Sequence, residues 1–150
     1  MKTLTYSLIL FGALLLMGCE SKTESKKSTD IDSLTQSVSL AKIQVMYFHG
    51  DRRCPSCIAI GDETGNLLKA NFDADVKSGT IAFVEINVDD EKNAKLAEKY
   101  QVAGSALLVV KTEAGKEEVT DLTGDGFKLA MNMPDMFKEK LKVTIDNYLK

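Results

Sequence analysis

The sequence predicts an α/β domain in which a central mixed β-sheet is flanked by helices on both faces, and three observations predict it. Short, nearly unbroken apolar runs at 43–48, 81–88 and 106–110 have the length and the Val, Ile and Leu content of buried strands. Segments with apolar residues at helical spacing lie between them, so helix and strand alternate along the chain. Glu113-Ala-Gly-Lys116 joins the third run to a segment ending at Leu122, which marks a hairpin.

The elements follow in chain order. After Asp30 as a cap, Ile31, Leu34, Val38 and Ala41 share one face of a helix over 31–41. The strand over 43–48 leads into Cys54-Pro55-Ser56-Cys57. Beyond it Ile58, Ala59, Leu67, Leu68, Ala70 and Phe72 predict a long helix, weakened and open to kinking at Gly61 and Gly65. The strand over 81–88 is expected to be covered on both faces. Asp89 or Asp90 then caps a helix through Tyr100. After the hairpin, Gly124-Asp125-Gly126 reads as a bend, since it lacks the remaining ligands of a calcium loop. A last helix from Pro134 carries Phe137, Leu141, Ile145, Tyr148 and Leu149 on one face. The expected order is α-β-α-β-α-β-β-α.

The beginning of the chain speaks of location. Lys2, an apolar run over 8–17 and the small Gly18 form an export signal, and the apolar stretch over 4–18 is short of the ~20 residues of a membrane span. Leu16-Met17-Gly18-Cys19 resembles a bacterial lipoprotein processing site. That resemblance implies cleavage before Cys19, a lipid on its sulfur, and anchoring on the non-cytoplasmic side of a bacterial envelope, periplasmic or at the cell surface. Residues 20–30 are polar and mixed in charge, so they read as a tether whose stretched reach is on the order of 35–40 Å. The expected organisation is a signal over 1–18, the lipidated cysteine and tether over 19–30, and one domain over 31–150, a usual size for a single core. A net charge of −3 with acids and bases interspersed leaves no basic stripe, which argues against nucleic acid as a partner.

The chain has three cysteines, and a lipid on Cys19 leaves Cys54 and Cys57 as the pair able to do redox chemistry. With a helix starting at Pro55, Cys54 is its N-cap, facing the free N–H groups of Ser56 and Cys57 and the positive end of the helix dipole. Pro55 suits the first helical position. Arg52 and Arg53 add positive charge, partly offset by Asp51, so the Cys54 thiol is predicted to ionise below the ordinary value of about 8.5. Cys57, one turn further in, is expected to be less exposed and less acidic.

Three segments together resemble the thioredoxin-fold family. They are Cys54-Pro55-Ser56-Cys57 between strand and helix, Glu85-Ile-Asn-Val-Asp89, similar to the lysine-leucine-asparagine-isoleucine-aspartate run of many thioredoxins, and Lys99-Tyr-Gln-Val-Ala-Gly104 followed by Leu107-Leu-Val-Val110. The resemblance covers nearly all of the chain after the tether. It implies a thioredoxin-like fold and a thiol-disulfide oxidoreductase with catalytic Cys54 and Cys57, working through a mixed disulfide with no cofactor beyond its own redox-active disulfide. The substrate would be a protein or small-molecule thiol or disulfide, and a membrane electron donor or use as an oxidant would close the cycle.

Departures from the family pattern mark the residues expected to modulate the site, together with Pro55 and Ser56 between the cysteines. Ala106 stands where the family has a cis-proline facing the sulfurs, which implies an altered groove less guarded against metal ions. Arg53 replaces the usual tryptophan and favours a polar or acidic partner. Tyr47 or Phe48 fills the region of the family's buried aspartate, so Glu85 becomes the candidate base for Cys57. Tyr47 is otherwise a half-buried strand tyrosine, with a sulfur as its alternative hydrogen-bond partner. Two other readings compete with redox chemistry. A structural disulfide closing so short a loop returns only about 2 kcal/mol. A metal-handling protein would use Cys54, Cys57 and His49 for Cu(I) or Zn(II), although a closed zinc site needs a fourth ligand. Met131, Met133 and Met136 read as packing residues before copper ligands, and Asp89, Asp90 and Glu91 as helix caps before a calcium patch.

Overall fold

The structure, a computed structural model, describes residues 41–150. The export signal, Cys19, the tether and all but the last residue of the helix expected over 31–41 lie outside the described residues. The elements are β1 (Ile43–His49), α1 (Pro55–Asn71), α2 (Asp73–Ser78), β2 (Ile81–Asn87), a 3-10 turn (Glu91–Asn93) running into α3 (Ala94–Lys99), β3 (Ala106–Glu113), β4 (Lys116–Asp121), α4 (Thr123–Leu129) and α5 (Pro134–Leu149). The four strands stand in the order β2-β1-β3-β4. β1 runs parallel to β2 and antiparallel to β3, and β3 is antiparallel to β4. This is an α/β, thioredoxin-like architecture with a mixed sheet between helical layers.

β1 is central because its side chains serve both layers. Ile43, Val45 and Tyr47 enter one core with Ile60 and Leu67 of α1 and Phe137, Leu141 and Ile145 of α5. Met46 and Phe48 point to the other side and pack with Ile86, Leu108 and Val110, against which Leu96 and Tyr100 lean. The period of two along the strand separates the two sets. On α5 the buried residues Phe137, Leu141, Ile145 and Tyr148 follow the expected stripe. Each fully buried side chain there contributes on the order of 1.5–3 kcal/mol.

Three expectations need correcting. Among the described residues β2 is an edge strand, and four of its seven residues are half-buried and Glu85 is exposed, instead of all being covered on both faces. α1 continues through Gly61 and Gly65 to Asn71, and a separate short helix, α2, follows Phe72. Residues 124–126 lie inside α4 instead of forming a bend. The reason is spatial: a Cβ on Gly126 would stand 3.0 Å from Ile60 Cγ1 and Cδ1, so the glycine permits α4 to approach α1. The hairpin turn is as expected, with Ala114 and Gly115 at φ 50° and 76°, the left-handed pair that matches strand twist. Among the described residues no helix is long and apolar enough to cross a membrane.

Candidate active site

β1 ends at His49, and the chain crosses Gly50 to Arg53 before α1 begins. A polar lattice holds this crossing against the loop after β2. The Asp51 N–H donates to Asp89 Oδ2 (2.7 Å), Asn87 Nδ2 donates to Asp51 Oδ1 (2.7 Å), and the Asp89 N–H donates to Asn87 Oδ1 (3.0 Å). Asn93 Nδ2 adds a bond to the Asn87 carbonyl (2.8 Å). Asp89 is therefore a brace for the loop, and it is Asp90 that caps the following turn through Lys92 N–H. Gly50 fits because a Cβ there would meet Asp89 Oδ2 at 3.0 Å.

Cys54 is the N-cap of α1, at φ −74° and ψ 160°, with Pro55 at the first helical position. Its Sγ accepts the backbone N–H of Cys57 at 3.1 Å. That contact satisfies an otherwise free donor of the first turn and directs a partial positive charge at the sulfur. Cys54 and Pro55 are exposed, Ser56 is half-buried, and Cys57 is 7% exposed. Cys54 and Cys57 are joined as a disulfide, with Cα atoms 5.0 Å apart.

Tyr47 lies beneath the pair. It is fully buried, not half-buried, and its hydroxyl donates to the carbonyl oxygen of Cys57 (2.5 Å) instead of to a sulfur. The Arg53 guanidinium sits 5.1 Å from the Tyr47 ring centre. Gly61 completes the interlock: a Cβ there would come within 2.8 Å of Tyr47 Cε1 and 2.9 Å of Arg53 Nη2. Arg53 Nη2 also faces Glu85 Oε2 at 3.8 Å. The Tyr47 hydroxyl first, and then the charges of Glu85 and Asp62, hold the guanidinium proton more tightly than usual, against the cost of burial. Arg53 Nε is buried with no hydrogen-bond partner among the described residues.

The positions singled out in the sequence fare differently. Arg53 faces inward onto Tyr47 and Glu85, so the exposed cation beside Cys54 is Arg52. Glu85 stands across the ladder from Tyr47 and has Arg53 as its ion-pair partner. Ala106 opens β3, is 8% exposed, and packs in the cluster with Met46 and Phe48. The N–H of Leu107 next to it donates to Thr123 Oγ1 (3.0 Å), which ties the start of β3 to α4. His49 Nδ1 lies 3.0 Å from the Gly50 carbonyl, with its ring beside Tyr47. Among the described residues no group of three or more His, Cys, Asp or Glu side chains is placed to hold a metal ion.

Sequence reasoning missed the Asp51, Asn87 and Asp89 lattice and the packing role of Gly61. The resemblance over 85–89 included Asn87 and Asp89 but gave no sign of their partner. Gly61, in a helix that continues past it, was a signal of close approach that composition alone reads as weakness.

No family model matches the chain, and no curated protein matches it. Solved structures similar to it include a thioredoxin from Thermus thermophilus, 21% identical over 77% of this chain and 83% of that one, with a TM-score of 0.47. A mutant thioredoxin of Entamoeba histolytica is 21% identical over 75% of this chain and 92% of that one, also at 0.47. Trichomonas vaginalis thioredoxin is 24% identical over 64% of this chain and 78% of that one, at 0.43. The thioredoxin-like fold itself is carried by the chain's own strand order and by the helix that Cys54 caps.

Proposed function

We propose that the chain is a lipid-anchored thiol-disulfide oxidoreductase of the bacterial cell envelope. The observation that carries this reading is an exposed N-cap cysteine bonded to a buried cysteine one turn inside the same helix. In the reduced protein the Cys54 thiolate attacks one sulfur of a substrate disulfide. That bond breaks, the other substrate sulfur leaves as a thiolate, and a proton from water neutralises it. Cys57 gives up its proton and attacks Cys54 Sγ, releasing the second substrate sulfur. Two electrons and two protons pass to the substrate, and the Cys54–Cys57 bond is left behind. The reverse sequence oxidises a substrate dithiol.

The Cys57 N–H aimed at Cys54 Sγ favours thiolate over thiol, and so stabilises the reduced state relative to the disulfide. An exported protein meets no glutathione-rich reducing pool, so its cycle requires a membrane electron donor or runs as an oxidant. A purely structural bond gives no reason for one sulfur to be exposed at a helix start. Anchoring through Cys19 rests on the lipoprotein-like run over 16–19. Cys19→Ala is expected to move the chain from the membrane to the soluble fraction, and unchanged sedimentation with membranes would remove that part of the reading.

The redox reading is tested by equilibrating the purified full chain in glutathione buffers, alkylating it, and counting modified cysteines by mass, with and without Cu(I) or Zn(II). The expected result is a reversible two-electron transition confined to Cys54 and Cys57. Absence of that transition, or protection of both thiols only when metal is added, would replace it with metal handling.

A further inference from the structure

We infer that Arg53 supplies the positive charge that stabilises the thiolate of the resolving cysteine, Cys57, and that Glu85 moderates this charge as its counter-ion and takes no proton itself. This rests on the redox reading above and adds to it the groups that govern the second step. In that step Cys57 Sγ loses its proton to water and its thiolate attacks Cys54 Sγ. The bond from Cys54 to the substrate breaks, and the electron pair leaves on the substrate sulfur. Cys57 is 7% exposed, so burial by itself opposes the thiolate and slows the step near neutral pH. A nearby cation or a base offsets that cost.

The packing beneath α1 supplies a cation. Cys57 and Gly61 are four residues apart in that helix, on one face and with about 5–6 Å between their Cβ positions. Arg53 Nη2 lies 2.9 Å from where a Cβ on Gly61 would stand. The Tyr47 ring, with Cε1 2.8 Å from the same point, bonds the Cys57 carbonyl through its hydroxyl and carries the guanidinium 5.1 Å from its centre. The guanidinium is thus held against the face of α1 that bears Cys57. Arg53 Nε is buried without a hydrogen-bond partner among the described residues, so this edge of the cation is shielded from water. A guanidinium also stays charged across the whole range in which a thiol titrates.

The side facing β2 is different. Glu85 Oε2 is 3.8 Å from Arg53 Nη2, beyond hydrogen-bond distance, and the Glu85 side chain is 46% exposed, so water screens the pair. Its carboxylate is directed at a cation, which makes it a weaker base. The other titratable groups near Arg53 are Tyr47, His49, whose ring centre is 5.6 Å from that of Tyr47, and Asp62, exposed on α1. Asp51 and Asp89 are tied into the loop lattice with Asn87. From the loop before α5, Met131 stands 3.8 Å from the Ser56 hydroxyl; it carries no charge and is 49% exposed instead of packed in the core.

The test mixes the reduced full chain with an uncharged dipyridyl disulfide, whose leaving thiol absorbs light, in a stopped-flow instrument across the pH range in which thiols titrate. Attack by Cys54 releases the first equivalent of that thiol, and resolution by Cys57 releases the second. Arg53→Met keeps an unbranched stem and removes the charge. It is expected to raise the pH midpoint of the second release by about one unit and to slow that release on the order of tenfold below the midpoint. Arg53→Lys should restore most of the rate. Glu85→Gln should lower the midpoint and quicken the second release, whereas loss of a base would slow it. A second release that is slowed or unchanged in Glu85→Gln, or slowed equally by Arg53→Met and Arg53→Lys, would overturn the assignment. If Arg53→Met does not fold, the sign of the change in Glu85→Gln, at an exposed position, still decides. Absence of any second release from the unmodified chain would remove the redox reading, and the role of Arg53 with it.

Discussion

Among the described residues the two faces of the sheet are closed to different degrees. On the side of α1 and α5 the core is continuous, with Tyr47, Ile60, Phe137, Leu141 and Ile145 all fully buried. On the side of α3 the described cover is Leu96, Tyr100 and Val102, each only partly buried. A cleft of about 660 Å³ opens there beside Met46, Val84, Ile86 and Tyr100. The redox pair is mounted on the tightly closed face. Tyr47 connects that packing to the chemistry, since the same side chain fills the core and bonds the carbonyl of Cys57. The disulfide is therefore placed by α1, by Tyr47 of β1 and by the polar brace from the loop after β2.

Phe137→Ala gives the largest expected effect, because it empties a fully buried site in the continuous core. We expect a loss of ~3–5 kcal/mol in chemical denaturation of the full chain. Gly61→Ala comes next. Its Cβ would press on the Tyr47 ring and Arg53, at a cost of ~1–3 kcal/mol, and it should change the rate at which the reduced protein is alkylated at Cys54. Leu96→Ala on the looser face should cost about 1 kcal/mol and leave that alkylation rate unchanged. If it altered the rate as much as Gly61→Ala does, the separation of the two faces would be broken.

The smallest effect is on the α3 side at alkaline pH. The Glu117 carboxylate raises the Lys99 ammonium above its ordinary 10.5, while burial chiefly raises the Tyr100 hydroxyl above 10.0. Both groups hold their protons more tightly folded than unfolded. The associated stability is complete below the unfolded values and is lost as pH rises through the higher folded ones. Thermal unfolding should show a decline beginning near pH 10, worth under about 1 kcal/mol at these partly exposed sites. Glu117→Gln should shrink the contribution from Lys99, and a stability that rose across this range would contradict the assignment.

What was legible in the sequence was local. The nearly unbroken burial of β1, the apolar stripe of α5, the hairpin turn at Ala114 and Gly115, and Cys54 before Pro55 are each encoded within a few residues. What was not legible depends on residues distant in the chain. The edge position of β2 among the described residues follows from sheet order. Asp51 meets Asp89 and Asn87 at separations of 38 and 36 residues, and Ser56 meets Met131 at 75. Gly61 and Gly126 look like helix breakers by composition, but each is small because another element passes close to it. The inward turn of Arg53 has the same origin, since its ring partner and its counter-ion come from β1 and β2.

The central claim is that Cys54 attacks and Cys57 resolves, and Cys57→Ala in the full chain tests it most directly. Mixed in reduced form with a peptide disulfide, this variant should accumulate a mixed disulfide on Cys54 that persists until a thiol reductant is added, while Cys54→Ala should form none. Equal adducts on both variants, or none on Cys57→Ala, would contradict the account.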